Sequence, residues 1–289
     1  MSGALWALVA AIGFAFLQVS NRKTNQLLDA YRTAFGFLVA VEVVLLARIV
    51  LVGDLGLLFS APLSAVVIFG GATLFHFVGG WTLLALSQQT IGVARTGALV
   101  SSAPIIGTLV AAAALDEPLT VAIVGGVLLA VVGVALISLS GRVAGSEEWR
   151  RPWFALAVAM IWGSTPLLIR RGLERFDHPV EGLALGLASS VVVYALLLLA
   201  TGRWRGPVPG RAIRWMMFGG LCGATAVSAQ WLSFDLTTIA IAITIQQLSV
   251  VFVIALVPIM FRQPFERMNP RFFGGAVLVL MGAIIVLLS

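Results

Sequence analysis

The sequence predicts an all-α polytopic membrane protein of ten transmembrane helices, arranged as two inverted five-helix repeats. Three observations carry this expectation. The 289 residues are 60% hydrophobic and only 10% charged, against roughly 25% charged in soluble domains, and a mean hydropathy of +1.07 leaves more apolar surface than a water-soluble core hides. Ten apolar runs are long enough to span a bilayer, and the two halves of the chain close on the same helix motif.

A spanning helix needs about 20 mainly apolar residues. The first half offers Ala4 to Ser20, Ala30 to Val52, Pro62 to Ser87, Thr90 to Leu115 and Leu119 to Ser140; the second offers Trp153 to Arg170, Pro179 to Thr201, Ala212 to Ser233, Leu236 to Phe261 and Pro270 to Leu288. Such spans consume roughly 200 residues, which leaves no room for a soluble domain. The N-terminus lacks a basic leader region and a clear cleavage site, so the first run reads as a retained helix. The one cysteine, Cys222, falls inside an apolar run, where it reads as a small hydrophobe.

The polar connection Gly141 to Arg151, with Glu147, Glu148, Arg150 and Arg151, divides the chain into repeats 1–143 and 144–289. Gly125-Gly126 through Gly133 to Ser140 aligns without a gap to Gly274-Gly275 through Gly282 to Ser289. Upstream, Asp116-Glu117-Pro118 stands where the second copy has Arg262-Gln263-Pro264, and Gly70-Gly71 followed by Trp81 echoes Gly219-Gly220 followed by Trp231. Several matches in one order point to duplication. Because five is odd, the second copy crosses the membrane in the opposite sense, which is a transporter signature. The six aligned glycines permit close backbone approach and read as helix packing, with a homodimer face as the alternative to a monomer.

The net charge of +6 comes from 18 basic and 12 acidic residues. These lie between apolar runs and not in a stripe, which speaks of membrane orientation rather than nucleic-acid binding. Odd-numbered connections carry Arg22, Lys23, Arg32, Arg142, Arg150, Arg151, Arg203, Arg205, Arg211, Arg214, Arg262, Arg267 and Arg271, whereas even-numbered ones carry only Arg48, Arg170, Arg171 and Arg175. By the positive-inside rule the odd connections are cytoplasmic and both termini outside. The chain has no Gly-x-Ser-x-Gly, no His-Glu-x-x-His, no P-loop lysine and two histidines in all, so the sequence points to no catalytic residue, no cofactor and no metal. A channel would need oligomeric symmetry or repeated pore charges that the sequence does not display.

The stretch Ala94-Arg95 to Pro104, followed by Leu115-Asp116-Glu117-Pro118-Leu119-Thr120 and the Gly-Gly helix, resembles the end of an EamA domain of the drug/metabolite transporter superfamily. Ile161-Trp162-Gly163-Ser164 and Arg32 are similar to the family pattern as well. The chain departs from it at Ile12-Gly13-Phe14, where a tryptophan-glycine pair is expected, and at Arg262-Gln263, where Gly-Glu is common. The resemblance covers the whole chain as two repeats. It implies a secondary transporter of a prokaryotic cytoplasmic (inner) membrane, with a central cavity lined mainly by the first, third, fourth, sixth, eighth and ninth helices. The four-helix multidrug relatives couple protons through a carboxylate in the first helix; Ala4 to Ser20 contains none, so that route is not expected here. Family members more often keep their termini in the cytoplasm, which conflicts with the charge bias.

The candidate substrate-binding residues follow from that cavity. The sixth run gives Trp162, Ser164 and Thr165, with Pro166 unable to donate to the carbonyl of Trp162. The third gives His76 and Trp81 beside Phe75 and Phe77; a mid-membrane histidine belongs in the interior, either bonding substrate or satisfied by packing. The fourth gives Ser101, Ser102 and Pro104. The ninth gives Gln246, Gln247 and Ser249, amides that need partners lipid cannot supply; adjacent on a helix, the glutamines point about 100° apart. Glu42 is the one carboxylate near the centre of a predicted span, but the second helix is expected outside the cavity wall. Arg95 reads as an interface anchor. Aromatics, hydroxyls and amides suit a small neutral or zwitterionic organic solute, amino-acid-like metabolites first, with a quaternary ammonium held by cation–π contact as the alternative.

Overall fold

The computed structural model describes residues 2–140, 152–261 and 270–289. The polar connection Gly141 to Arg151 and the triplet Arg262-Gln263-Pro264 therefore lie outside the described residues, as do Arg142 and Arg267. The described residues are helical, with no strand among them: α1 (Ser2–Thr24), α2 (Ala30–Val52), the short α3 (Leu55–Ser60), α4 (Leu63–Thr73), a π-helical stretch Leu74–Gly80, α5 (Trp81–Ile91), α6 (Val93–Val100), α7 (Ala103–Leu115) and α8 (Val121–Ser140). After the central connection come α9 (Trp153–Leu173), α10 (Pro179–Ala200), α11 (Gly210–Leu236), α12 (Ile239–Gln246), α13 (Leu248–Phe261) and α14 (Pro270–Leu288).

Local chemistry accounts for these ends and breaks. Asp29 caps α2 by accepting from the Tyr31 and Arg32 amides, and Pro179 begins α10, where a missing N–H costs nothing. Among the described residues, eight helical spans are long and apolar enough to cross a membrane. The expected eighth and ninth runs differ for physical reasons. α11 has 27 residues, about 40 Å at 1.5 Å per residue, but its glycines, Ser228, Gln230 and Ser233 dilute its hydropathy. The ninth run is interrupted at Gln247 into α12 and α13, and the fourth at Ser101–Ser102 into α6 and α7. Pro104, which cannot donate to Val100, explains the break in the fourth.

α1 packs on α11 and on α12–α13, while α9 packs on α4–α5 and on α6–α7; α2 meets α10 and α11, and α10 meets α2 and α4. Interchanging the first five and last five predicted runs maps this packing onto itself. The sharpest instance is α8 against α14. A Cβ added at Gly133 would sit 2.6 Å from the Gly275 carbonyl oxygen, and one at Gly126 would sit 2.8 Å from the Gly282 carbonyl oxygen. The low residue of one helix thus meets the high residue of the other, so α8 and α14 run antiparallel. Four of the aligned glycines are consumed by contact within the chain, whereas Gly125 and Gly274 face open space.

The largest apolar core gathers Leu38, Phe69, Leu183, Leu187, Trp231 and Phe234 from α2, α4, α10 and α11. Each fully buried leucine or phenylalanine is worth roughly 1.5–3 kcal/mol against water, but against lipid tails that term vanishes and close packing takes over. This is why Gly, Ala and Ser recur along the buried faces of α1 and α11.

Candidate functional site

Between the helices lies a cavity of about 1300 Å³, above the roughly 300–1,000 Å³ of most small-molecule pockets. Its mouth carries Asn21, Arg22, Asn25, Gln26, Gln88, Gln89 and Arg95, all at the end of the bundle where the odd-numbered connections lie. The cavity therefore opens at that end and tapers inward to Ile169, Phe234 and Ile243.

Seven of the nine candidate substrate-binding residues line it together: His76, Trp81, Ser101, Trp162, Thr165, Gln246 and Gln247. Ser102 and Ser164 are outside the lining. The Ser102 hydroxyl turns back to the Leu99 carbonyl at 2.7 Å, satisfying a group left over at the helix break. Pro104, Pro166 and Ser249 are in the wall, and Pro166 sits inside α9.

His76 and Trp162 meet in the wall. Their rings stack at 5.6 Å and 21°, and the indole Nε1 donates to the His76 carbonyl at 3.3 Å. That carbonyl is available because residues 74–80 are π-helical, a turn in which the regular α-bonding ladder is displaced. Gly80 makes the approach possible, since a Cβ there would fall on the indole Nε1. The imidazole Nδ1 is buried without a hydrogen-bond partner, and His76 also lines a second cavity of about 10 Å³ with Thr73, Thr165 and Gln230.

Across the cavity Gln230 Nε2 donates to Gln246 Oε1 at 2.8 Å, and Gln246 Nε2 donates to the Ser233 hydroxyl at 3.3 Å. Gln246 is thus bound between helices while it lines the cavity, and Gln247 lines it at the break. Gln230 is a wall residue the sequence reading passed over. A glutamine inside the eighth apolar run, three residues before its end at Ser233, was the available signal, since its amide needs a partner that lipid cannot supply. Phe14, Phe37 and Phe234 also line the wall and were hidden among seventeen phenylalanines with no way to tell inward from outward faces; Tyr194 lines it as well.

One expectation is corrected. The second helix does line the cavity, through Tyr31, Ala34, Phe37, Leu38 and Val41 of α2, because its N-terminal half leans between α10 and α11. Glu42 itself is not in that wall; it is buried, with Oε2 lacking a hydrogen-bond partner. Arg95, near the start of α6, is at the cavity mouth. Arg32 anchors the loop before α11, donating to the carbonyls of Arg205, Gly206 and Pro207.

At the opposite end the helices are drawn together. Glu117 accepts from the Ile239 amide at 2.8 and 2.9 Å, Arg170 donates to the carbonyls of Phe234, Asp235 and Thr237, and Arg171 donates to the Ala114 carbonyl at 2.7 Å. The cavity is thus open at one end and closed at the other. No group of three or more His, Cys, Asp or Glu that would hold a metal exists among the described residues.

Comparison with known proteins places these features. The model of the EamA-like transporter family matches residues 1–139 and again 151–288. No match was found among curated proteins. A protein of known crystal structure superposes with a TM-score of 0.80 at 19% identity, covering 99% of this chain and 96% of the other, a likeness of fold.

Proposed function

The chain belongs to the EamA-like transporter family, a family of membrane transporters, and from that premise we propose that it is a secondary carrier for a small neutral or zwitterionic organic metabolite, amino-acid-like in character. In this reading ten helices cross the membrane as two inverted repeats, 1–143 and 144–289, which rock about the central cavity. The antiparallel α8–α14 pair supports the inversion, since those two helices are the aligned copies of one another. The observation that carries alternating access is the cavity itself, polar at an open mouth, aromatic and amide-lined at depth, and closed beyond.

The wall composition supports the substrate class. Amides and hydroxyls satisfy a polar solute in both donor and acceptor senses, while Trp81, Trp162 and Phe77 offer flat apolar surface. The charged side chains among the described lining residues are Arg22 and Arg95, both at the mouth. His76, Trp162, Thr165, Gln246, Gln247 and Ser101 are the residues assigned to the solute, with Trp81 above them.

The test is counterflow in proteoliposomes, with amino acids, quaternary amines and nucleosides compared in parallel. Saturable counterflow of an amino acid is the expected result. Non-saturable flux would indicate a channel, and preferential counterflow of a quaternary amine would overturn the substrate assignment.

A further inference from the structure

Glu117 joins the two halves at the closed end. It follows α7, whose last turn is stopped by Asp116 in the left-handed conformation at φ 55°, a region that Asp enters more readily than most residues. Pro118 then prevents the helix from resuming. The turn so made sends the Glu117 carboxylate across the bundle to α12. There one oxygen accepts from the Ile239 amide at 2.8 Å, and the other accepts from Ile239 at 2.9 Å and Ala240 at 3.5 Å.

The first amides of any helix lack intrahelical partners, and the N-terminus carries partial positive charge. In α12 Thr238 serves only the third, the Ile241 amide, at 3.4 Å. Ile239 and Ala240 are 1% and 2% exposed, too buried for water to take their amides, so Glu117 supplies what the second half lacks. The contact is held from its other side by Arg171, which donates to Ala114 in the last turn of α7, and by Arg170, which gathers the end of α11.

We propose that Glu117 is the latch of the closed end: its carboxylate on the Ile239 and Ala240 amides holds the α7–α8 corner against the α11–α12 turn, and opening that end requires its release. Asp116, Glu117 and Pro118 act as one device, turn, arm and stop. The latch rests on the alternating-access reading, but its test needs no substrate.

Two single-cysteine reporters are placed in a Cys222→Ala background, Ala240→Cys beneath the latch and Gln89→Cys at the open mouth. Each is labelled with a membrane-impermeant maleimide applied from its own face of sealed vesicles. Glu117→Ala should raise the labelling rate at Ala240→Cys about tenfold, the effect expected of losing charge-assisted hydrogen bonds, and lower it at Gln89→Cys. Glu117→Gln, which keeps a neutral acceptor, should fall between, and serves alone if the alanine variant does not insert. An unchanged rate at Ala240→Cys overturns the proposal. So does a rise at both reporters, which means loosening of the whole bundle, or a rise at Ala240→Cys with Gln89→Cys unchanged, which means local fraying of α12. Because neither reporter reads flux, a failed counterflow experiment leaves the latch standing, and a failed latch leaves counterflow to be judged separately.

Discussion

The indole of Trp162 stacks on the imidazole of His76 at 5.6 Å and donates its Nε1 hydrogen to the carbonyl of the same residue at 3.3 Å. One side chain of the second half thus fixes both the ring and the backbone of a π-helical turn in the first. Truncating Trp162 frees both at once, whereas Trp162→Phe removes the hydrogen bond and keeps much of the stack.

Substrate-induced thermal shift and counterflow should therefore fall most in Trp162→Ala and His76→Ala, and less in Trp162→Phe. A loss of roughly tenfold or more in apparent affinity is expected for each alanine variant, the size of one well-placed aromatic contact. Full binding and flux in both folded alanine variants would remove these residues from the site.

Gln230 and Gln246 bond to one another across α11 and α12. Gln230→Leu strands a buried amide and should cost about 1–3 kcal/mol, as an unsatisfied polar group does, while the double change Gln230→Leu with Gln246→Leu should recover part of that stability. Tm in detergent reads stability, and counterflow shows whether recovery of fold comes without recovery of transport.

Glycine substitutions separate the packed face of α8 and α14 from the open one. Gly282→Ala puts a methyl group 2.7 Å from the Ala130 amide nitrogen and should destabilise by about 1–3 kcal/mol, as overpacking does. Gly125→Ala and Gly274→Ala meet nothing within 4 Å and should stabilise by up to about 0.5–1 kcal/mol through helix propensity. The measured order of Tm values checks the assignment; destabilisation by Gly125→Ala would instead mark that face as an interface with a second copy.

Glu42 is buried away from the cavity wall. Glu42→Gln should keep both counterflow and pH-driven accumulation. Accumulation lost with counterflow intact would make Glu42 the proton-coupling group.

The charge bias predicts the orientation. Val208, 42% exposed in the connection before α11, lies at the end of the bundle that carries, among the described residues, Arg22, Lys23, Arg32, Arg203, Arg205, Arg211, Arg214 and Arg271. Val208→Cys in a Cys222→Ala background should resist an impermeant maleimide on intact cells and label after permeabilisation. Labelling of intact cells would put both termini in the cytoplasm.

Composition alone determined that this chain belongs in lipid, because 60% hydrophobic residues have no other solvent, and the spacing of apolar runs placed nearly every helix. The aligned glycines foretold close packing, since that reading needs only a repeated residue type. Seven of the nine candidate residues line the cavity, because the resemblance named the cavity-lining helices and on them a polar or aromatic side chain is costly to turn toward lipid. What the sequence left open is everything set by rotation and meeting. Which face of α2 leans into the cavity, which glutamine finds Gln230, and that Glu117 reaches Ile239, 122 residues along the chain, depend on where helices cross, and in a membrane, where every face of a helix is apolar, periodicity carries no record of that.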